Sequence, residues 1–135
     1  MTPALEQKLF TKYPDLFEDR HLSTAETRIQ HITVDDGWYD LVDAMCRELH
    51  AKSPKTRFLQ IKEKFGKLRV YFRVSDDNAS TIKHTYEEKS ATICETCGKP
   101  GKIEWRDRQF VKAACRRHGG DSFNERIRKW LRNIR

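Results

Sequence analysis

Apolar residues recur at helical spacing in several stretches and at alternate positions in one. Leu5 and Leu9 lie one turn apart in a segment, Ala4 to Lys12, that Tyr13-Pro14 ends, because a residue before proline is pushed out of helical geometry. The region 18–35 has no strong period and reads as a connection. Trp38, Leu41, Val42, Met45, Cys46 and Leu49 then fall at i, i+3, i+4, i+7, i+8 and i+11, a helix stripe that begins after the candidate cap Asp35-Asp36-Gly37 and closes at Ser53-Pro54. From Phe58 to Val74 the period becomes two. Leu59 and Ile61 alternate with Gln60 and Lys62, and Leu68, Val70, Phe72 and Val74 alternate with Arg69, Tyr71 and Arg73. Gly66 between these runs permits a hairpin turn, so the pattern predicts a β-hairpin with an apolar face on the Trp38 helix and a basic face outward. Ala79 to Ser90 reads as a further helix with Ile82 and Tyr86 on one side. At the end, Ser122 precedes Phe123 and is followed three residues later by Glu125, a capping-box pattern at the start of the stripe Phe123, Ile127, Trp130, Leu131 and Ile134 of a basic amphipathic helix. That stripe is expected to dock within the chain, since a helix of thirteen residues or so is marginal alone in water.

The expected fold class is α+β. A helix packed on a β-hairpin forms a core over 1–90, followed by a zinc ribbon or knuckle over 91–120 and a C-terminal amphipathic helix over 121–135. The 135 residues leave no room for a large enzyme or a cofactor domain with a separate substrate domain. No apolar run approaches the roughly 18 residues of a membrane span, and the mixed start carrying Glu6 does not resemble a secretory leader. A cytoplasmic protein, or one acting in a host cytoplasm, is therefore expected.

Charge changes the picture because it comes in blocks. The net formal charge is +7, yet residues 1–54 carry six basic and ten acidic side chains, while 55–74 carry seven basic and one acidic. The last forty-five residues are again basic. Such asymmetry suits a polyanion or an acidic protein surface as partner. The residues placed to meet it are Lys67, Arg69, Tyr71 and Arg73 on the hairpin and Arg126, Arg128 and Arg132 on the terminal helix.

The strongest chemical signal is Cys94-x2-Cys97-x17-Cys115-x2-His118. Two ligand pairs, each with two intervening residues, converge on one tetrahedral ion when a short hairpin joins them, and residues 102–106 and 109–114 supply that hairpin. Three thiolates and an imidazole fill four positions, so the expected cofactor is a structural Zn2+ rather than a catalytic one. On this view metal removal unfolds the last third of the chain and spares the Trp38 helix. Cys46 lies in the apolar stripe and reads as a buried small residue. His21, His31, His50 and His84 show no ligand spacing, and no Walker loop, dinucleotide fingerprint, nucleophile elbow or H-E-x-x-H motif occurs. Neither catalysis nor a small-molecule substrate is expected, and a membrane surface is the least favoured partner.

Three segments together carry a resemblance: Asp36 to Asp43 with Cys46 following, Gln60 to Tyr71, and Ser90 to Gly101 with Cys115-Arg-Arg-His118. Their order, covering roughly 13–118, resembles a family of small uncharacterised proteins found in phages and prophages. The resemblance brings no catalytic residues. It implies a phage-type accessory protein, a class from which inhibitors of host enzymes and host defences are drawn. The leading functional expectation is accordingly a non-enzymatic protein that binds and inhibits a host protein, and the alternative is a nucleic-acid-binding zinc-ribbon module.

Overall fold

The computed structural model describes residues 1–17, 31–106, 110–119 and 130–134. Helix α1 spans Pro3–Lys12 and the short α2 spans Pro14–Phe17. A 3-10 turn at Asp36–Trp38 leads into α3, Tyr39–Lys52. Strands β1, Arg57–Lys64, and β2, Lys67–Val74, form an antiparallel hairpin. Helix α4 follows at Asp77–Ser90, and β3, Lys102–Arg106, pairs antiparallel with β4, Phe110–Ala114. The fold is α+β, with two separate two-stranded sheets. Among the described residues, no helix is long and apolar enough to cross a membrane.

One apolar core joins these elements. The α3 stripe contributes Leu41, Val42, Met45, Cys46 and Leu49, and Trp38 beneath it is fully buried. Phe58, Ile61, Leu68 and Val70 meet it from the inner face of β1–β2, but alternation breaks in β1. The register shifts between Phe58 and Gln60, which turns Leu59 outward, and Val74 at the end of β2 is exposed too. Neither joins the apolar face that the sequence pattern predicts. Phe17 packs its ring 5.0 Å from Phe58, which in turn lies 5.7 Å from Phe72, so α2 is tied to the hairpin through aromatic contacts. The expected cap at Asp35–Asp36 takes a different form. Neither side chain caps α3; Asp36 accepts from the Thr2 N–H at 2.7 Å, and Asp35 pairs with Lys112 at 2.8 Å. Both carboxylates serve long-range contacts that local sequence cannot announce.

Both edges of the β1–β2 hairpin are covered. On the β1 side, Thr33 donates to the Ile61 carbonyl and accepts from the Glu63 N–H. On the β2 side, Ser90 Oγ accepts from the Leu68 N–H at 2.8 Å and the Glu87 carboxylate accepts from the Val70 N–H at 3.0 Å. A helix turn and two strand residues advance by similar lengths, about 5.4 and 6.7 Å, so successive turns of α4 meet successive edge donors. Asp76 caps α4, accepting from the Ala79 N–H at 2.8 Å.

Residues 130–133 are helical, but Trp130, Leu131 and Ile134 are exposed. The expected docking of this stripe within the chain does not hold at these three residues. Phe123, Ile127, Arg126 and Arg128 lie outside the described residues.

Candidate metal centre and basic strand face

Two tight turns bring the four predicted ligands together. In the first, the Gly98 N–H donates to the Cys94 carbonyl at 2.8 Å, and Gly98 takes the positive φ of 78° that glycine accommodates best. In the second, the N–H groups of His118 and Gly119 both donate to the Cys115 carbonyl. The β3–β4 hairpin sets one turn beside the other. The ligand atoms of Cys94, Cys97, Cys115 and His118 all lie within 4.8 Å of one another.

Their spacing tests whether a metal fits. The Sγ atoms of Cys97 and Cys115 are 3.7 Å apart, and His118 Nδ1 lies 3.2 Å from Cys115 Sγ and 3.6 Å from Cys94 Sγ. A tetrahedron with metal–sulfur bonds of about 2.3 Å has sulfur–sulfur edges of about 3.8 Å and slightly shorter sulfur–nitrogen edges. A disulfide would need about 2.05 Å, and all four cysteines are free. The residues fit a tetrahedral ion held through His118 Nδ1. Burial would raise the Cys94 thiol, but the N–H groups of Cys115, Cys97 and Thr96 outweigh it and bring it down to about 6, towards the thiolate that binds metal. At Cys97 the Lys99 N–H acts downward, while burial and the neighbouring thiols Cys94 and Cys115 carry the group above its ordinary value. Arg116, Arg117 and Lys99 are exposed around the cluster.

The centre is seated on the core. The Gly37 N–H donates to the Glu95 carbonyl at 2.8 Å, and a Cβ on Gly37 would stand 2.4 Å from the carbonyl oxygens of Cys94 and Glu95. The Trp38 indole N–H donates to the Ile93 carbonyl at 2.9 Å, one residue before the first ligand. Glu95 is buried between the ligands and accepts from the Asp35 N–H at 3.1 Å; burial raises its carboxyl. None of these supporting contacts shows in the ligand spacing. Cys46 is fully buried in α3, where burial raises its thiol far above the ordinary value, as expected of an inert packing residue.

The hairpin residues predicted to meet a partner share the outer face of β1–β2 but differ in their surroundings. Lys67 pairs with Glu88 at 3.1 Å and Arg69 approaches Glu87 at 4.0 Å. Tyr71 lies open, with the ammonium of Lys62 5.5 Å and that of Lys83 5.8 Å from its ring centre. Arg73 has its Nε buried without a partner among the described residues. Arg132 is exposed. Lys62, Lys64 and Lys83 add to this face beyond the residues predicted for it. The strand alternation carried a signal for the first two, whereas Lys83 reaches Tyr71 only because α4 lies along β2. The hairpin tip touches the β3–β4 hairpin, since a Cβ on Gly66 would meet the side chains of Val111 and Ile103 at 3.2 and 3.3 Å. Comparison with protein-family models, with curated proteins and with solved structures finds no match to this chain.

Proposed function

We propose that this chain is a non-enzymatic binding protein, stapled by a structural zinc at Cys94, Cys97, Cys115 and His118, that takes nucleic acid on the outer face of β1–β2. One observation carries the reading. Like charges oppose each other directly across the strands, Lys62 against Arg69 and Lys64 against Lys67. Such pairs weaken a sheet, and a bound polyanion relieves the repulsion. Helix α4 offsets part of it through Glu87 and Glu88, while Lys62, Lys64, Arg73 and Lys83 have no carboxylate partner among the described residues. Zinc is favoured by the donor set, since sulfur and imidazole in a closed tetrahedron suit that ion and leave no position for substrate.

Binding of a labelled oligonucleotide should weaken steeply with salt, because each neutralised phosphate releases counterions. Replacing Lys62 and Lys64 together by Gln should lower the log–log salt slope by about 1.4–1.8. Absence of binding at low salt removes the nucleic-acid reading, and a metal content far from one zinc per chain removes the zinc.

A second reading, a phage-type protein that inhibits a host protein, is favoured by the exposed Trp130 beside the open Leu131 and Ile134, since tryptophan is among the residues that most often anchor protein interfaces. Capture of a host protein that survives nuclease treatment, and is lost on Trp130→Ala, would support it.

A further inference from the structure

We infer that the nucleic acid bound on the β1–β2 face is single-stranded, with a base stacked on Tyr71 and the Lys62 and Lys83 ammoniums turned to the flanking phosphates. The inference rests on the nucleic-acid reading and narrows it. Two observations separate single strands from duplex. The first is width. A bare two-stranded ribbon can enter the major groove of duplex DNA, which is about 12 Å across. Here α4 lies along the β2 edge and Thr33 along the β1 edge, so this ribbon is flanked on both sides and too broad to enter.

The second is the placement of the rings. Tyr71 is 39% exposed and takes one lysine from the neighbouring strand and one from α4. Both ammoniums lie over the ring, so a base that stacks there displaces them toward its phosphates, which joins base stacking to backbone attraction as in sequence-tolerant single-strand proteins. A second ring stands at the hairpin tip. Phe65 is 69% exposed, with the Lys64 ammonium 5.7 Å from its ring. Its φ of 53° is in the left-handed region, where a bulky side chain is rare and strained. The two-residue turn between Lys64 and Lys67 requires positive φ at both Phe65 and Gly66, so the hairpin sets the backbone. What it does not account for is a phenyl there, open to solvent and gaining nothing from the core. Tyr71 and Lys67 are four strand residues apart, about 13 Å, so the two rings mark opposite ends of a cationic track.

The test compares the full-length protein on a single-stranded oligonucleotide, on the duplex of the same sequence and on heparin, a polyanion without bases. Single strands should bind more tightly than duplex. Tyr71→Ala should weaken single-strand binding about 5- to 150-fold, the range that loss of one base stack produces. Heparin binding should be unchanged by the same substitution, and Tyr71→Phe, which keeps the ring, should retain single-strand affinity. Equal affinity for duplex and single strand overturns the inference, as does a Tyr71→Ala loss that is absent or the same on heparin. Those outcomes leave polyanion binding by the face intact. Failure of all three ligands to bind removes the underlying reading as well.

Discussion

Asp43 illustrates how far a single residue can depart from what its position in the sequence suggests. It falls near the start of α3, where an acid suits the positive end of the helix dipole. In the fold it is 8% exposed and accepts from Lys12 Nζ at 2.7 Å, Tyr13 Oη at 3.0 Å and Arg47 at 3.1 Å, fastening α1 to α3. Burial acts to raise its carboxyl, but the Lys12 and Tyr13 donors prevail and hold it below the ordinary value. A carboxyl depressed by folding contributes stability above its unfolded pKa of about 3.9, and that stability is lost as the pH falls through the folded value. Asp43→Asn should therefore cost about 1–2 kcal/mol at pH 7, towards the low side because Lys12 and Arg47 are largely in solvent. In urea unfolding, the gap between parent and variant should close below about pH 4. A gap independent of pH would show that the charge contributes nothing. Periodicity could not reveal this hub, because two of its donors lie some thirty positions away in the chain.

At the scale of elements, the longer helices, the hairpin and the ligand set were legible because each follows from a local rule, whereas the four-residue α2 is too short for a period to show. The α3 stripe follows the helical period, β2 follows alternation after Gly66, and the ligands follow the two-residue gaps of their turns. The register shift that turns Leu59 outward in β1 has no local signal. What binds one element to another was hidden. The metal loop is joined to the core through Gly37 and Trp38, where a missing side chain and one indole N–H make the contact. This changes the expected result of removing metal. Sequence alone suggests that the Trp38 region is spared. The structure places the Ile93 carbonyl, adjacent to Cys94, on the Trp38 indole. Loops of this type lose their geometry without the ion, because ligand convergence and folding are coupled. Chelation should therefore shift or broaden the Trp38 indole N–H resonance together with those of the 94–118 segment. An unchanged Trp38 signal after complete metal loss would show that the core holds its own geometry at this contact.

For the whole molecule, the open question is what each exposed surface is for. Periodicity identifies an apolar stripe in the terminal segment but cannot say what covers it, and intramolecular docking is the default when a short helix has nothing else to support it. The described part of the stripe does not follow that default, with Trp130 63% exposed and Leu131 and Ile134 also open. Substitutions at exposed sites typically change stability by no more than about 0.5 kcal/mol. Trp130→Ala should accordingly move the melting temperature by no more than about 2 °C in a chain of this size. Trp38→Ala serves as the contrast, because it empties a fully buried site and removes a donor to Ile93; its cost should be about 3–5 kcal/mol. A large fall in melting temperature for Trp130→Ala would mean that the stripe is covered by its own chain, and the protein-inhibitor reading would lose the observation that favours it. Retained stability together with unchanged oligonucleotide binding would separate the two surfaces physically: a cationic strand face that meets phosphates, and an apolar helical turn whose exposure serves neither the core nor that face.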